Sequence, residues 1–138
     1  MEKSKFQFTN PTLTRLEFEV HNDFLRKGKL DMGINLSVNC RRAKKEDDTL
    51  GSSALVMVTV SIGTKDNSTP FYIEADEEAT FRWCEGDFSE ANIEALLNEN
   101  AVALLISYLR PIIANVTASS PYPCYNLPFL DLTTREKK

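Results

Sequence analysis

Apolar and polar residues alternate in four stretches of this chain. Leu16, Phe18 and Val20 alternate with Glu17 and Glu19. Leu30, Met32, Ile34, Leu36, Val38 and Cys40 alternate with Asp31, Gly33, Asn35, Ser37 and Asn39. Ala54, Val56, Val58, Val60 and Ile62 share a third register, and Phe71, Ile73 and Ala75 a fourth that extends toward Phe81. A period of two predicts strands with one dry and one wet face, as in an antiparallel sheet. Asn10-Pro11, the charged run Arg41 to Asp48 and the cluster Gly63 to Asn67 read as breaks between them. Short links between consecutive strands predict a meander or a Greek key.

After Asp87 the period changes. Ser89 can cap a helix, and Ile93, Leu96 and Leu97 have helical spacing before Asn98-Glu99-Asn100 interrupts it. From about Ala101 to Ala118 the residues Val102, Leu105, Ile106, Leu109, Ile112, Ile113 and Val116 recur at three- and four-residue steps, a broad apolar stripe. Pro111 predicts a kink or a break within it. Beyond Ser119-Ser120-Pro121 the chain holds Tyr122, Cys124, Tyr125, Leu127, Phe129, Leu130 and Leu132, with Pro123 and Pro128 among them. Such a segment is not helical and is too apolar to float in water, so it is expected to lie extended on the body or on another subunit. Alternation predicts Tyr125, Leu127 and Phe129 on one side of it, with Cys124 and Leu130 nearer the other.

The expected fold is α+β: a four-stranded antiparallel sheet, then a long helix and an extended C-terminal arm, in a single domain over residues 1–138 with frayed ends at 1–5 and 133–138. One helix on a one-layer sheet leaves apolar surface over. Leu55 and Met57, on the far face of the third strand, add to it. A homo-oligomer would cover that excess.

Composition narrows the chemistry. The net charge of −4 is a poor match for nucleic acid, whose phosphates ask for a basic face. No uninterrupted apolar run reaches membrane-spanning length, because Ser107, Arg110 and Pro111 divide the best candidate, so no membrane insertion is expected. Cys40, Cys84 and Cys124 have no disulfide-like spacing, which suits a reduced, cytoplasmic setting. His21 is the single histidine, and it reads as a solvated strand-end residue. With no second histidine and no phosphate-binding loop, neither a metal, nor a cofactor, nor enzyme activity is expected. Charge is uneven: residues 70–100 hold nine acidic side chains and one basic one, Arg82.

The segment Ile106-Ser107-Tyr108-Leu109-Arg110, then Ile113, Tyr122-Pro123 and Asn126-Leu127, resembles the SecB family of export chaperones. That family carries a Tyr-x-Arg segment on a long helix and an aromatic-Pro-x-x-Asn-Leu stretch at this same distance. Ser119-Ser120 stands where the family has Arg-Gly, and Phe129-Leu130-Asp131 where it has Pro, Val and Asn. The ending Arg135-Glu136-Lys137-Lys138 is basic where the family has a second helix and an acidic tail. The resemblance implies a homotetrameric, ATP-independent holdase that binds unfolded polypeptides or preproteins for export. It also implies an acidic sheet face that docks the export motor SecA. Two alternatives are a chaperone dedicated to one client, such as an antitoxin, and a non-chaperone oligomeric module of the same fold.

Under that reading the residues suited to line a client groove are Phe24, Leu25, Tyr122, Tyr125, Phe129 and Leu130. Any of them could instead serve the core or a subunit interface. Glu74, Asp76 and Glu78 alternate along the fourth strand, so they share a wet face suited to partner docking, or simply to solubility.

Overall fold

The computed structural model describes residues 1–43 and 51–133. Five strands form one antiparallel sheet: β1 (Gln7–Phe8), β2 (Thr12–Val20), β3 (Ile34–Arg42), β4 (Ser52–Gly63) and β5 (Phe71–Trp83). Spatially β3, β4 and β5 lie in order, and β1 and β2 share the outer side of β5. Asn10-Pro11 divides what would be one long edge strand, giving a fifth strand where the sequence pattern predicts four. The second predicted strand is shortened to its last part. Residues 30–33 leave the ladder, and the carbonyls of Met32 and Gly33 accept the Gly63 N–H instead. Gly63 has a positive φ of 85°, and a Cβ there would collide with the Phe71 carbonyl, so this turn from β4 toward β5 requires glycine. Most of the charged run 41–48 and the basic ending 135–138 lie outside the described residues.

The register explains which face is dry. Val56, Val58, Val60 and Ile62 of β4 stand beside Ala79, Glu77, Ala75 and Ile73 of β5, all on one face. A continuous helical run covers that face: α1 (Glu90–Ala95), a π-helical turn (Leu96–Asn100) and α2 (Ala101–Thr117). Ser89 caps it, its hydroxyl accepting the Asn92 N–H. Asn98-Glu99-Asn100 does not interrupt the helix as its polarity predicts. The π turn widens the spiral there, and Leu97 stays buried on the core side beside Ala101. Pro111 does not break the helix either. It lies on the exposed side, where water can reach the carbonyl that it leaves without a partner. Val102, Leu105, Leu109 and Ile113 of α2 are buried in one cluster with the inner residues of β4 and β5.

The joined helix, Glu90–Thr117, is 28 residues long and its most apolar window of 18 residues has a mean hydropathy of 1.3, so by length and composition it could cross a membrane. Its apolar stripe is instead occupied by the sheet.

One position opposes the pattern. Glu77 is 2% exposed on the inner face, between Val58 and Leu13, where a bulge shifts the β2 register. Its Oε2 has no hydrogen-bond partner among the described residues. Burial raises its carboxyl above the ordinary glutamate range. The protonated form is therefore favoured in the native state, and stability falls as pH rises from the ordinary range through the raised value. Glu77→Gln is expected to be more stable than the parent at neutral pH. The difference should close below about pH 4, where the parent carboxyl is neutral in both states. Urea melts at the two pH values check this; a variant less stable at neutral pH would mean that the carboxylate is partnered in the native protein.

Candidate functional site

Three irregular segments meet at one end of the sheet: the link from β2 to β3 (residues 21–33), the turn 64–70, and the arm that follows α2. His21 is where they join. Its backbone N–H donates to the Pro70 carbonyl at 2.8 Å, and its own carbonyl accepts the Phe24 N–H at 3.2 Å and the Tyr122 hydroxyl at 2.8 Å. The ring is 3% exposed, with Nδ1 2.8 Å from the Thr69 carbonyl oxygen. His21 is thus a buried joint, not the solvated strand end that its polar neighbours Asn22 and Asp23 suggest, because the turn and the arm both close over it. Phe24 and Tyr122 pack edge to face above it, 6.2 Å between centroids.

The arm is fixed by side chains of α2. Thr117, fully buried, donates its hydroxyl to the Ile113 carbonyl and accepts the Tyr125 N–H, both at 2.8 Å. Tyr125 packs edge on against Phe71 at 5.9 Å, and Leu127 is buried in the core. Arg110 then holds the Leu127 and Pro128 carbonyls at 3.2 and 3.1 Å. The expected alternation ends at that grip. Phe129 does not share the side of Tyr125 and Leu127. It is 96% exposed, its ring 5.1 Å from the Arg110 guanidinium, while Leu130 packs against the core.

Two adjoining hollows run along the link and share Lys29, Leu30 and Asp31; the larger reaches Tyr125 of the arm, and the smaller is bounded by Thr64, Ser68 and Thr69 of the turn. One, of about 330 Å³, is lined by Phe24 and Leu25 together with Arg26 and Lys27. The other, of about 710 Å³, is lined by Met32, Ile34 and Tyr125. Of the six side chains named from the sequence, Phe24, Leu25 and Tyr125 border these hollows, and Tyr122 packs on Phe24. Phe129 and Leu130 line neither hollow. Sequence reading missed Met32 and Ile34, which alternation assigns to a plain strand. The departure of residues 30–33 from the ladder leaves Met32 on the hollow, next to Ile34 at the start of β3.

Glu74, Asp76 and Glu78 do share the outer sheet face, beside Glu17 and Glu19 of β2. That face also holds Arg15, which the sequence reading passed over. Arg15 donates to Asp76 at 3.2 Å and to Glu17 at 3.3 Å, and forms an ion pair with Glu74. The bond from Asp76, and more weakly that from Glu17, hold its guanidinium still more firmly protonated. Asp76 accepts the Thr59 hydroxyl at 2.7 Å and Glu74 the Tyr72 hydroxyl at 2.8 Å. Two of the three acids are therefore already engaged. Among the described residues no three His, Cys, Asp or Glu side chains converge as metal ligands.

No family model and no curated protein matches the chain. Solved structures do. The Mycobacterium tuberculosis Rv1957 SecB-like chaperone, in complex with a ChAD peptide from the Rv1956 HigA1 antitoxin, is similar over 91% of this chain and 90% of that one, with a TM-score of 0.58 at 19% identity. A protein of unknown function from Streptococcus agalactiae is similar over 90% of this chain and 97% of that one, with a TM-score of 0.53 at 13% identity. The fold is SecB-like. At these identities the likeness speaks for the fold alone, and it agrees with the α+β architecture expected from the sequence.

The turn beside the groove has its own anchor. Asp66 accepts from the Ser68 hydroxyl and N–H and from the Thr64 hydroxyl, and these bonds lower its carboxyl to about 2. A depressed carboxyl stabilises the fold above the ordinary aspartate range and loses that contribution as pH falls toward the depressed value. Asp66→Ala is expected to lower Tm at neutral pH and to have little effect near pH 2, as measured by circular dichroism; an equal loss at both would assign the effect to packing.

Proposed function

We propose that this protein is an ATP-independent chaperone that holds unfolded polypeptide in the groove between the 21–33 link and the arm. The observation that carries the reading is the pair of hollows along the link: Leu30, Met32, Ile34 and Tyr125 give the larger one a mainly apolar lining, and the smaller one adds Phe24 and Leu25 beside the basic Arg26 and Lys27. Apolar burial is sequence-tolerant, which is what a holdase needs, and Leu25, 76% exposed, supplies contact area at the mouth. The SecB-like fold supports a chaperone role in a cytoplasmic setting, and binding instead of catalysis.

The antitoxin peptide bound by the mycobacterial neighbour favours a second, narrower form of the same reading: a chaperone dedicated to one client. Service to a broad set of exported preproteins is the other form. Assembly into a homo-oligomer, a tetramer on the SecB resemblance, is supported by the outer side of α2. Between Ala101 and Thr117 the only charged residue is Arg110, and Ala103, Ser107, Tyr108, Pro111 and Asn115 are exposed. A helix facing only water normally carries more charge.

Purified protein is expected to suppress aggregation of a denatured model substrate without nucleotide. Leu25→Ala should weaken suppression while changing stability by less than about 0.5 kcal/mol, because its side chain is largely solvated. Tyr125→Ala should cost about 2–5 kcal/mol as well, because that ring is packed on Phe71. Light scattering that finds only a 15.6 kDa particle would remove the oligomer. Failure to suppress aggregation at any ratio would remove the holdase.

The outer acidic face is proposed as the docking surface for a basic partner, SecA on the resemblance. Arg15 makes Glu78 the informative position. Glu78→Lys should leave stability within about 0.5 kcal/mol, whereas reversing Glu74 or Asp76 also breaks the Arg15 pairs. Binding to a SecA-type partner should fall in Glu78→Lys and weaken with salt in the parent, since exposed charges are screened beyond about 10 Å at 0.1 M. Salt-independent binding, or none, would leave the face a solubility device.

A further inference from the structure

His21 touches every segment that shapes the groove, and the state of its ring can be read from its partners. The Thr69 carbonyl can only accept, so at 2.8 Å the ring's Nδ1 must carry the proton. In the neutral ring Nε2 is then a bare acceptor. Yet Nε2 is buried, has no hydrogen-bond partner, and sits 3.3 Å from Oε1 of Glu19, which is an acceptor too. Two lone pairs face each other, one on the buried ring and one on a carboxylate that is itself largely exposed. One added proton turns that contact into a charge-assisted bond. The same residue's backbone bears Tyr122 and Phe24, so whatever fixes its position also fixes the start of the arm and one wall of the groove.

We infer that His21 is a proton-operated clasp on the groove: charged, it ties the end of β2 to the turn 64–70 and steadies the arm; neutral, it lets Glu19 and the β2 end draw apart and loosens the groove wall. The inference rests on the reading of that groove as the client site, and concerns its regulation. The titratable groups facing the ring are Glu19 on β2, Asp66 on the turn, whose charge the ring senses, and the Tyr122 hydroxyl on the arm, bound to the His21 carbonyl. Two of these three are acids that favour the charged ring.

A single histidine makes the test clean. Full-length protein with ¹⁵N-labelled imidazole is titrated by NMR from about pH 5 to 8.5. The neutral limb should show the Nδ1–H tautomer. The amides of Thr69 and Tyr122 should follow the ring's midpoint, and Glu19→Gln should move that midpoint down by about half a pH unit or more. Amide exchange over Tyr122–Leu127, corrected for intrinsic rate, should be slower by about threefold or more on the acid side in the parent, and not in Glu19→Gln. A neutral Nε2–H tautomer, a midpoint unmoved in Glu19→Gln, or arm exchange that ignores the ring's titration would each overturn the clasp. Affinity for a fluorescent apolar decapeptide, measured at both ends of the titration, separates the two ideas. Binding that follows the ring's midpoint supports the clasp on a working groove, and binding that is indifferent to it overturns the regulation. An arm that titrates in a protein that binds no peptide supports the clasp as a joint and overturns the chaperone reading.

Discussion

The contact between α2 and the inner face of β4 and β5 is the constraint from which the other features follow. Val56, Val58, Val60, Ile62 and Ile73 meet Val102, Leu105, Leu109 and Ile113, and all are at most 1% exposed. Each such side chain contributes about 1.5–3 kcal/mol by leaving water. The helix must therefore keep one stripe on the sheet throughout, and the π turn at Leu96–Asn100 is the adjustment that lets α1 and α2 share it. Because the helix sits over β4 and β5, the strands beyond β5 are less covered: Phe8, Leu13 and Leu16 point to the same side and remain 36–41% exposed.

From the end of that helix the chain has one direction open to it, back along its own body. Thr117 and Arg110, on α2, supply the polar contacts that hold an extended segment lacking helix or ladder bonds of its own. The tie of Tyr122 to His21 brings the arm onto the link, and the groove is the space left where link, turn and arm cannot all close-pack. Its walls therefore depend on a few hydrogen bonds, while its floor depends on the core.

Electrostatics divides the molecule in two. The outer face concentrates carboxylates around one guanidinium, so that part of the repulsion is cancelled in place and the remainder is offered to solvent or to a partner. Glu77, next to this cluster in the chain, points the other way and loses its solvent. An extended strand leaves no choice, because three consecutive acids cannot all lie on one face.

How far the sequence went can be seen at particular residues. Period-two alternation located β2, most of β3, β4 and the start of β5, because half-burial leaves a local trace in every second residue. The stripe from Val102 to Val116 located α2 for the same reason at its own period. The Tyr-x-Arg and aromatic-Pro segments pointed to the fold that the solved structures share, and Arg110 turns out to grip the arm those segments encode. Phe24, Leu25, Tyr122 and Tyr125 were legible as apolar residues with no place in an element. What alternation could not convey was anything set by residues distant in the chain. The burial of His21 is made by Thr69, Pro70 and Tyr122, 48 to 101 positions away. The presence of Arg15 among the acids follows from its pairing across β2 and β5, and Phe129 is exposed because Arg110 holds the carbonyls before it. The amino-acid sequence determined the elements and their dry faces, since those depend on neighbours a few residues apart. Only the tertiary structure decided which polar groups were shut inside and which loops came together to make a groove, since burial and long-range contact are properties of the assembled surface.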